Sequence, residues 1–142
     1  MTALNWVLRQ QEGQFFERKS CFDRSRGKLR PVREVARDVA ETLAALANAD
    51  GGVLVVGIEN DGEVSGVDYP EDRLKVLRAA PKTHIRPPLH ARIQEGRLEG
   101  KTIFLFEVDW SMDAHQLTDG RYILRVGDRN VPFPARGIEA MK

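Results

Sequence analysis

Val32, Val35, Ala36, Val39, Leu43, Leu46 and Ala47 recur every three or four positions. That stripe predicts an amphipathic helix beginning beside Pro31, a residue suited to a first helical turn. Asn48, Asp50 and Gly51 predict its end, with Gly51-Gly52 allowing a backbone turn. From Val53 to Ile58 the chain is apolar without polar alternation, the pattern of a strand covered on both faces at the centre of a sheet. Asn60-Asp61-Gly62 then has the composition of a tight turn into a short strand, Glu63 to Val67.

Weaker patterns fill in the rest. Leu4, Val7 and Leu8 predict a helix over residues 2–11, and Phe15 to Lys19 a strand. Ser20 to Arg30 reads as a polar loop. Leu74, Val76 and Leu77 predict a second, shorter helix over 70–80, after which Pro81, Pro87 and Pro88 break the chain. Leu89 to Gln94 and Thr102 to Val108 form a predicted hairpin, Arg121 to Val126 a further strand, and Ile138 to Lys142 a terminal helical turn. The expected fold is a single α+β domain over 1–142. Its parts are an N-terminal helix (1–11), a core (12–67), and a helix, hairpin and final strand (68–142). A central mixed sheet lies under one long helix and one short one, the long helix crossing between parallel strands.

A chain of 142 residues buries one core. It has no apolar run near the roughly 20 residues of a membrane span and no signal-peptide profile, so the expectation is a cytosolic protein without a membrane partner. Cys21 is the only cysteine, which excludes an internal disulfide. Its arginine neighbours would lower an exposed thiol's pKa, but no histidine is placed to make it a nucleophile. His84, His90 and His115 lack metal-ligand spacing. Gly96 to Thr102 nearly spells a phosphate-binding loop, but three residues rather than four separate its glycines and a strand follows; it reads as a hairpin turn.

The net charge is only +1, yet it is unevenly spread. Arg18, Lys19, Arg24, Arg26, Lys28, Arg30, Arg33 and Arg37 fall in one stretch opposed by Asp23 and Glu34, and the stretch from Asp61 to Asp72 is acidic. This predicts a basic patch, provided those cations emerge jointly exposed and without partners in the chain. Arg125 and Arg129 would add a second edge, and Phe22 would stack on a base. Arg37 and Glu41, four apart on the helix, are spaced to pair.

Glu17-Arg18-Lys19-Ser20, then Ala47-Asn48-Ala49-Asp50-Gly51-Gly52, then Gly57-Ile58-Glu59-Asn60-Asp61-Gly62 with Gly66, resemble the Schlafen AlbA-type domain family over residues 12–67. Tyr122 to Gly127 resembles a later strand of the same family. The resemblance implies an Alba-like fold, with Asn48, Gly51, Gly52, Gly57, Gly62 and Gly66 as motif positions. It also implies a DNA- or RNA-binding module of bacterial and archaeal transcriptional regulators. Animal Schlafens use a related domain as an RNA endonuclease with three carboxylates, which here map to Glu12, Glu17 and, at the end of the buried strand, Glu59; the aligned acidic position itself falls on Asn60, and Asp61 is a further substitute.

Such a nuclease would need Mg²⁺ or Mn²⁺ held by clustered carboxylates. Glu12 and Glu17 would share a face only if the chain bends at Gly13; otherwise Glu17 pairs with Lys19, two residues along the same strand face. The leading expectation is a homodimeric nucleic-acid-binding domain without a cofactor, contacting phosphates through the basic loop and helix start. The metal-dependent ribonuclease is the alternative, and a protein-interaction module the third reading.

Overall fold

Residues 4–142 are described by the computed structural model; residues 2 and 3 of the expected first helix lie outside them. A 3₁₀ turn, Asn5–Arg9, leads into β1 (Phe16–Lys19), a small hairpin of β2 (Phe22–Asp23) and β3 (Lys28–Leu29), and α1 (Val32–Asn48). Then follow β4 (Gly51–Val56), α2 (Glu71–Thr83), β5 (Ile85–Arg86), β6 (Arg92–Leu98) and β7 (Lys101–Asp109). The chain ends with β8 (Gln116–Leu117), β9 (Ile123–Val126), β10 (Arg129–Pro132) and α3 (Ala135–Ala140).

The central sheet runs β1-β4-β7-β6. β1 and β4 are parallel, joined through α1, and the other two pairings are antiparallel. β4 is therefore interior, and its apolar run is covered from both sides. Leu54 and Val56 join the α1 stripe and Phe104, Phe106 and Val108 in one core. Val55 turns to the opposite face, where Leu4, Val7, Phe16, Ile103 and Leu105 cover it. Val35, Val39, Leu43 and Leu46 are fully buried along α1, each stabilising the fold by roughly 1.5–3 kcal/mol. Those four contacts make α1 the main cover of the sheet.

Asn48 ends α1 inside the protein. Its Nδ2 donates to the carbonyls of His115 and Ile123, both at 2.9 Å, and its Oδ1 accepts from the His115 amide at 2.7 Å. The corner beyond it needs glycine: a Cβ on Gly51, at φ 82°, would sit 2.8 Å from the Val108 carbonyl oxygen, and one on Gly52 2.7 Å from that of Phe15. Gly51 and Gly52 are thus the first residues of β4 rather than a turn outside it. Gly57 and Gly66 pack backbone to backbone, with the Gly66 amide donating to the Gly57 carbonyl at 2.8 Å, and Gly62 lies in the turn between them.

Other boundaries shift for local reasons. The expected N-terminal helix is a five-residue 3₁₀ turn, and the 20–30 loop contains the β2–β3 hairpin. The expected Glu63–Val67 strand is one isolated bridge, Ile58 to Val64. Pro81 does not break α2 but lies in its last turn, where a missing N–H removes a single bond. β6 and β7 run longer than expected and meet at Glu99-Gly100, which settles the near phosphate loop as a hairpin turn. β9 starts at Ile123 and pairs with β10, and the terminal turn is α3, beginning at Ala135.

Candidate functional site

At β1 the strand period sends Phe16 and Arg18 to one face and Glu17 and Lys19 to the other. Upstream the chain reverses at residues 13–15, with the Gly13 amide donating to the Phe16 carbonyl at 3.0 Å. The bend carries Glu12 back to β1, where its Oε2 accepts from the Arg18 amide at 3.2 Å. Glu59 arrives from the turn after β4. The result is a cleft of about 400 Å³ whose walls include Glu12, Glu17, Lys19, Ser20, Glu59, Asn60 and Asp128. All three carboxylates mapped by resemblance reach one place.

The lone pairs of Glu17 and Glu59 are already engaged, while Glu12 accepts only the Arg18 amide. Glu17, only 8% exposed, meets Lys19 Nζ at 2.7 Å through Oε2 and the Arg125 guanidinium through Oε1. Burial pushes its carboxyl up, but Lys19 and then Arg125 outweigh that and hold it below the usual carboxylate value. Thr42 Oγ1 adds a bond at 3.3 Å and is itself bonded by Asn130. Glu59 is bonded by the Ser20 and Ser65 hydroxyls and lies 3.4 Å from Arg24 Nε. Among the described residues no three His, Cys, Asp or Glu side chains converge to hold a metal ion. A divalent cation therefore does not fit the cleft as it is arranged: its ligands would have to leave Lys19, Arg125 and the serines first.

The eight cations of the expected patch divide into two sets. Lys19 faces Glu17, Arg26 lies 3.5 Å from Asp23, and Arg24 reaches Glu59, Asp61 and Glu63. Arg30 is fixed by Glu34, Asp38 and the Ser20 carbonyl. Arg18 donates to the Gln10 carbonyl at 2.7 Å and packs its guanidinium over Phe16. These five are not free of partners in the chain: the acidic stretch folds against Arg24 and α1's first turns against Arg30, while Lys19, Arg26 and Arg18 are engaged by residues near them in sequence. Lys28, Arg33 and Arg37 are exposed and, among the described residues, have no carboxylate partner. Glu41 pairs with Arg121 at 3.1 Å instead of with Arg37.

Arg125 lies at no edge: its side chain is fully buried, donating to Gly13, Phe16, Glu17 and Asn130. Phe22 is half-buried in β2. Burial pushes the Cys21 thiol up to about 12, which leaves it inert at neutral pH. His115 is buried between the Pro87 carbonyl and Ser111 Oγ, at 2.7 and 2.8 Å. Ser20 was part of the first motif, whereas Asp128, Thr42, Asn130 and Ser65 escaped the sequence reading. Their signal was faint, since polar residues beside Gly127 or within a helix read as surface. Arg125 carried a better one, the strand motif it belongs to.

A β-α-β unit extended by an antiparallel hairpin, with a charged cleft where β1 and β4 end, defines the class of small α+β domain. The chain belongs to the Schlafen AlbA_2 family, whose profile matches residues 12–134. Among solved structures it is similar to the DIP2311 protein of Corynebacterium diphtheriae, at 28% identity and a TM-score of 0.67 over 84% of this chain. It spans 22% of that protein's length. The N-terminal domain of a RecG-related protein of Nitrosomonas europaea shares the fold, at 20% identity and a TM-score of 0.54, with 78% of this chain and 75% of that one covered. No curated protein matches the chain. No helix among the described residues is long and apolar enough to cross a membrane.

Proposed function

We propose that this domain binds nucleic acid, DNA or RNA, through the phosphate backbone. The observation that carries this reading is the exposure of Lys28, Arg33 and Arg37, without carboxylate partners among the described residues, along β3 and the outer face of α1's first turns. Cations already neutralised within a protein release few counterions on binding; unpaired ones supply sequence-independent affinity. Arg26, 70% exposed at its side chain, lies on the same hairpin but already faces Asp23 at 3.5 Å. The reading is supported by family membership and by the fold shared with a domain of a protein described as related to the DNA helicase RecG. Fluorescence anisotropy with labelled single-stranded RNA and duplex DNA at 50 and 200 mM salt tests it. Binding that weakens about tenfold or more between the two is expected for three phosphate contacts; absence of binding at the lower salt overturns it.

A ribonuclease is the second reading, favoured by the meeting of Glu12, Glu17 and Glu59 in one cleft. The bonds that occupy Glu17 and Glu59 stand against it. Incubation with tRNA and Mn²⁺ decides: cleavage that Glu17→Gln abolishes would establish the enzyme, and intact tRNA would remove it.

A further inference from the structure

A second cavity, of about 440 Å³, opens on another side of α1, between Arg37, His84 at the end of α2, and the turn after β8, where Leu117, Thr118, Asp119 and Arg121 line it. Its hydrogen-bonding groups divide unusually. Both acidic neighbours are occupied by one residue: Arg121 binds Asp119 through Nε at 2.9 Å and Glu41 through Nη1 at 3.1 Å. The Thr118 amide is likewise used, donating to the His84 carbonyl at 2.9 Å. The side-chain donors remain open. The Arg37 guanidinium, the His84 ring and the Thr118 hydroxyl make no hydrogen bond among the described residues.

Three guanidinium groups, Arg37, Arg86 and Arg121, stand here against two carboxylates, Asp119 and Glu41, and Arg37 acts on Asp119 only through space, without a hydrogen bond. Burial, then Arg37, then Arg86 push the His84 imidazole below its usual value, with no acid acting against them. The partial negative charge of an α2 C-terminus would oppose an anion, but Arg86 Nη1 covers the Lys82 and Ile85 carbonyls at 2.8 Å each. One unpaired guanidinium, an imidazole and a hydroxyl around a cavity, with the neighbouring carboxylates already capped, suit a tetrahedral oxyanion that accepts from several directions. The volume leaves room for the group that carries it.

We infer that the Arg37–His84–Thr118 cavity is a phosphate-binding site, separate from the carboxylate cleft. Arg37 supplies the charge and the fork; His84 and Thr118 orient the anion. The site takes one phosphate group, on a chain end or within a backbone, and does not depend on the polyanion reading, because inorganic phosphate alone suffices to fill it.

The test follows the His84 Cε1–H resonance of the full chain during titration with inorganic phosphate at constant ionic strength, with chloride as the control salt. A saturable shift with phosphate and none with chloride is expected, weakened roughly tenfold by Arg37→Gln, which removes a charge-assisted contact, and unchanged by Lys75→Gln on the exposed side of α2. Thr118→Val gives a second, smaller loss should Arg37→Gln perturb the fold. A shift equal in both salts, or indifferent to Arg37 and Thr118 alike, overturns the inference. With 5′-phosphorylated and 5′-hydroxyl dinucleotides, a response to the former alone assigns a chain end, and a response to both a backbone phosphate. If oligonucleotides bind with steep salt dependence while phosphate leaves His84 unmoved, this site fails and the nucleic-acid reading stands.

Discussion

Arg125 and Arg33 carry the same guanidinium in opposite settings. Arg125 is fully buried on β9, donating to two backbone carbonyls, to Glu17 and to Asn130; Arg33 lies exposed on α1 with no carboxylate partner among the described residues. The first is part of the scaffold that joins β1, α1 and β9, where any change of partner leaves an uncompensated charge in a poorly solvated place. The second is hydrated and unclaimed, so it can exchange water and counterions for a phosphate at little loss. Burial, rather than residue type, decides which cations hold this domain together and which are open to a partner.

Breaking the buried side gives the largest effect. Arg125→Met leaves Glu17 with Lys19 alone and is expected to destabilise the protein by about 3–5 kcal/mol, read as a drop in the urea midpoint. Asn48→Ala orphans three buried backbone groups at the other end of α1 and should remove about 2–3 kcal/mol. Stability loss under 1 kcal/mol for both would contradict the scaffold role.

Acid sharpens the same comparison. The folded Glu17 carboxyl sits below its ordinary value of 4.5, so its contribution is fully present above that pH and is lost as pH falls through the lower folded value, where the unfolded chain binds the extra proton. Urea titrations between pH 3 and 6 should show stability rising with pH more steeply in the wild type than in Glu17→Gln. Parallel profiles would mean that Glu17 is not coupled to Lys19 and Arg125.

On the open side, stability barely responds and binding does. Replacing Lys28 and Arg33 by Gln should leave the melting temperature almost unchanged and flatten the dependence of log affinity on log salt by about 1.5–2. Arg24→Ala should cost little stability, since its partners Asp61 and Glu63 are well exposed and solvent screens such pairs, and the buried Glu59 keeps the Ser20 and Ser65 hydroxyls. A collapse of the fold would show that the hairpin anchors the cleft.

Long-period features of this fold were legible in the sequence. The α1 stripe, the unbroken apolar run of β4 and the parallel crossover follow from periodicity; the Glu17–Lys19 pair, expected only in the absence of a bend at Gly13, forms alongside that bend. The pairings of β5 with β8 and of β2 with β3 did not, because two-residue strands have no period and form only where tertiary contacts bring them together. For the site, resemblance pointed to Glu12, Glu17 and Glu59, and the bend that Gly13 permits brings the three to the walls of one cleft. The neutralisation of Glu17 was hidden: Arg125 lies 108 residues from it in the chain, and no local pattern marks a charge as buried. The basic stretch misled for the same reason, since Arg24 meets Asp61 and Glu63 only after β1 and β4 pair.

The most direct test of whether the unpaired cations, rather than the carboxylate cleft, meet nucleic acid is backbone amide NMR of the full chain titrated with a short single-stranded oligonucleotide. Shifts concentrated along residues 24–37, fading as salt rises, are the predicted outcome. Shifts centred on Glu12, Glu17 and Glu59 and insensitive to salt would contradict it.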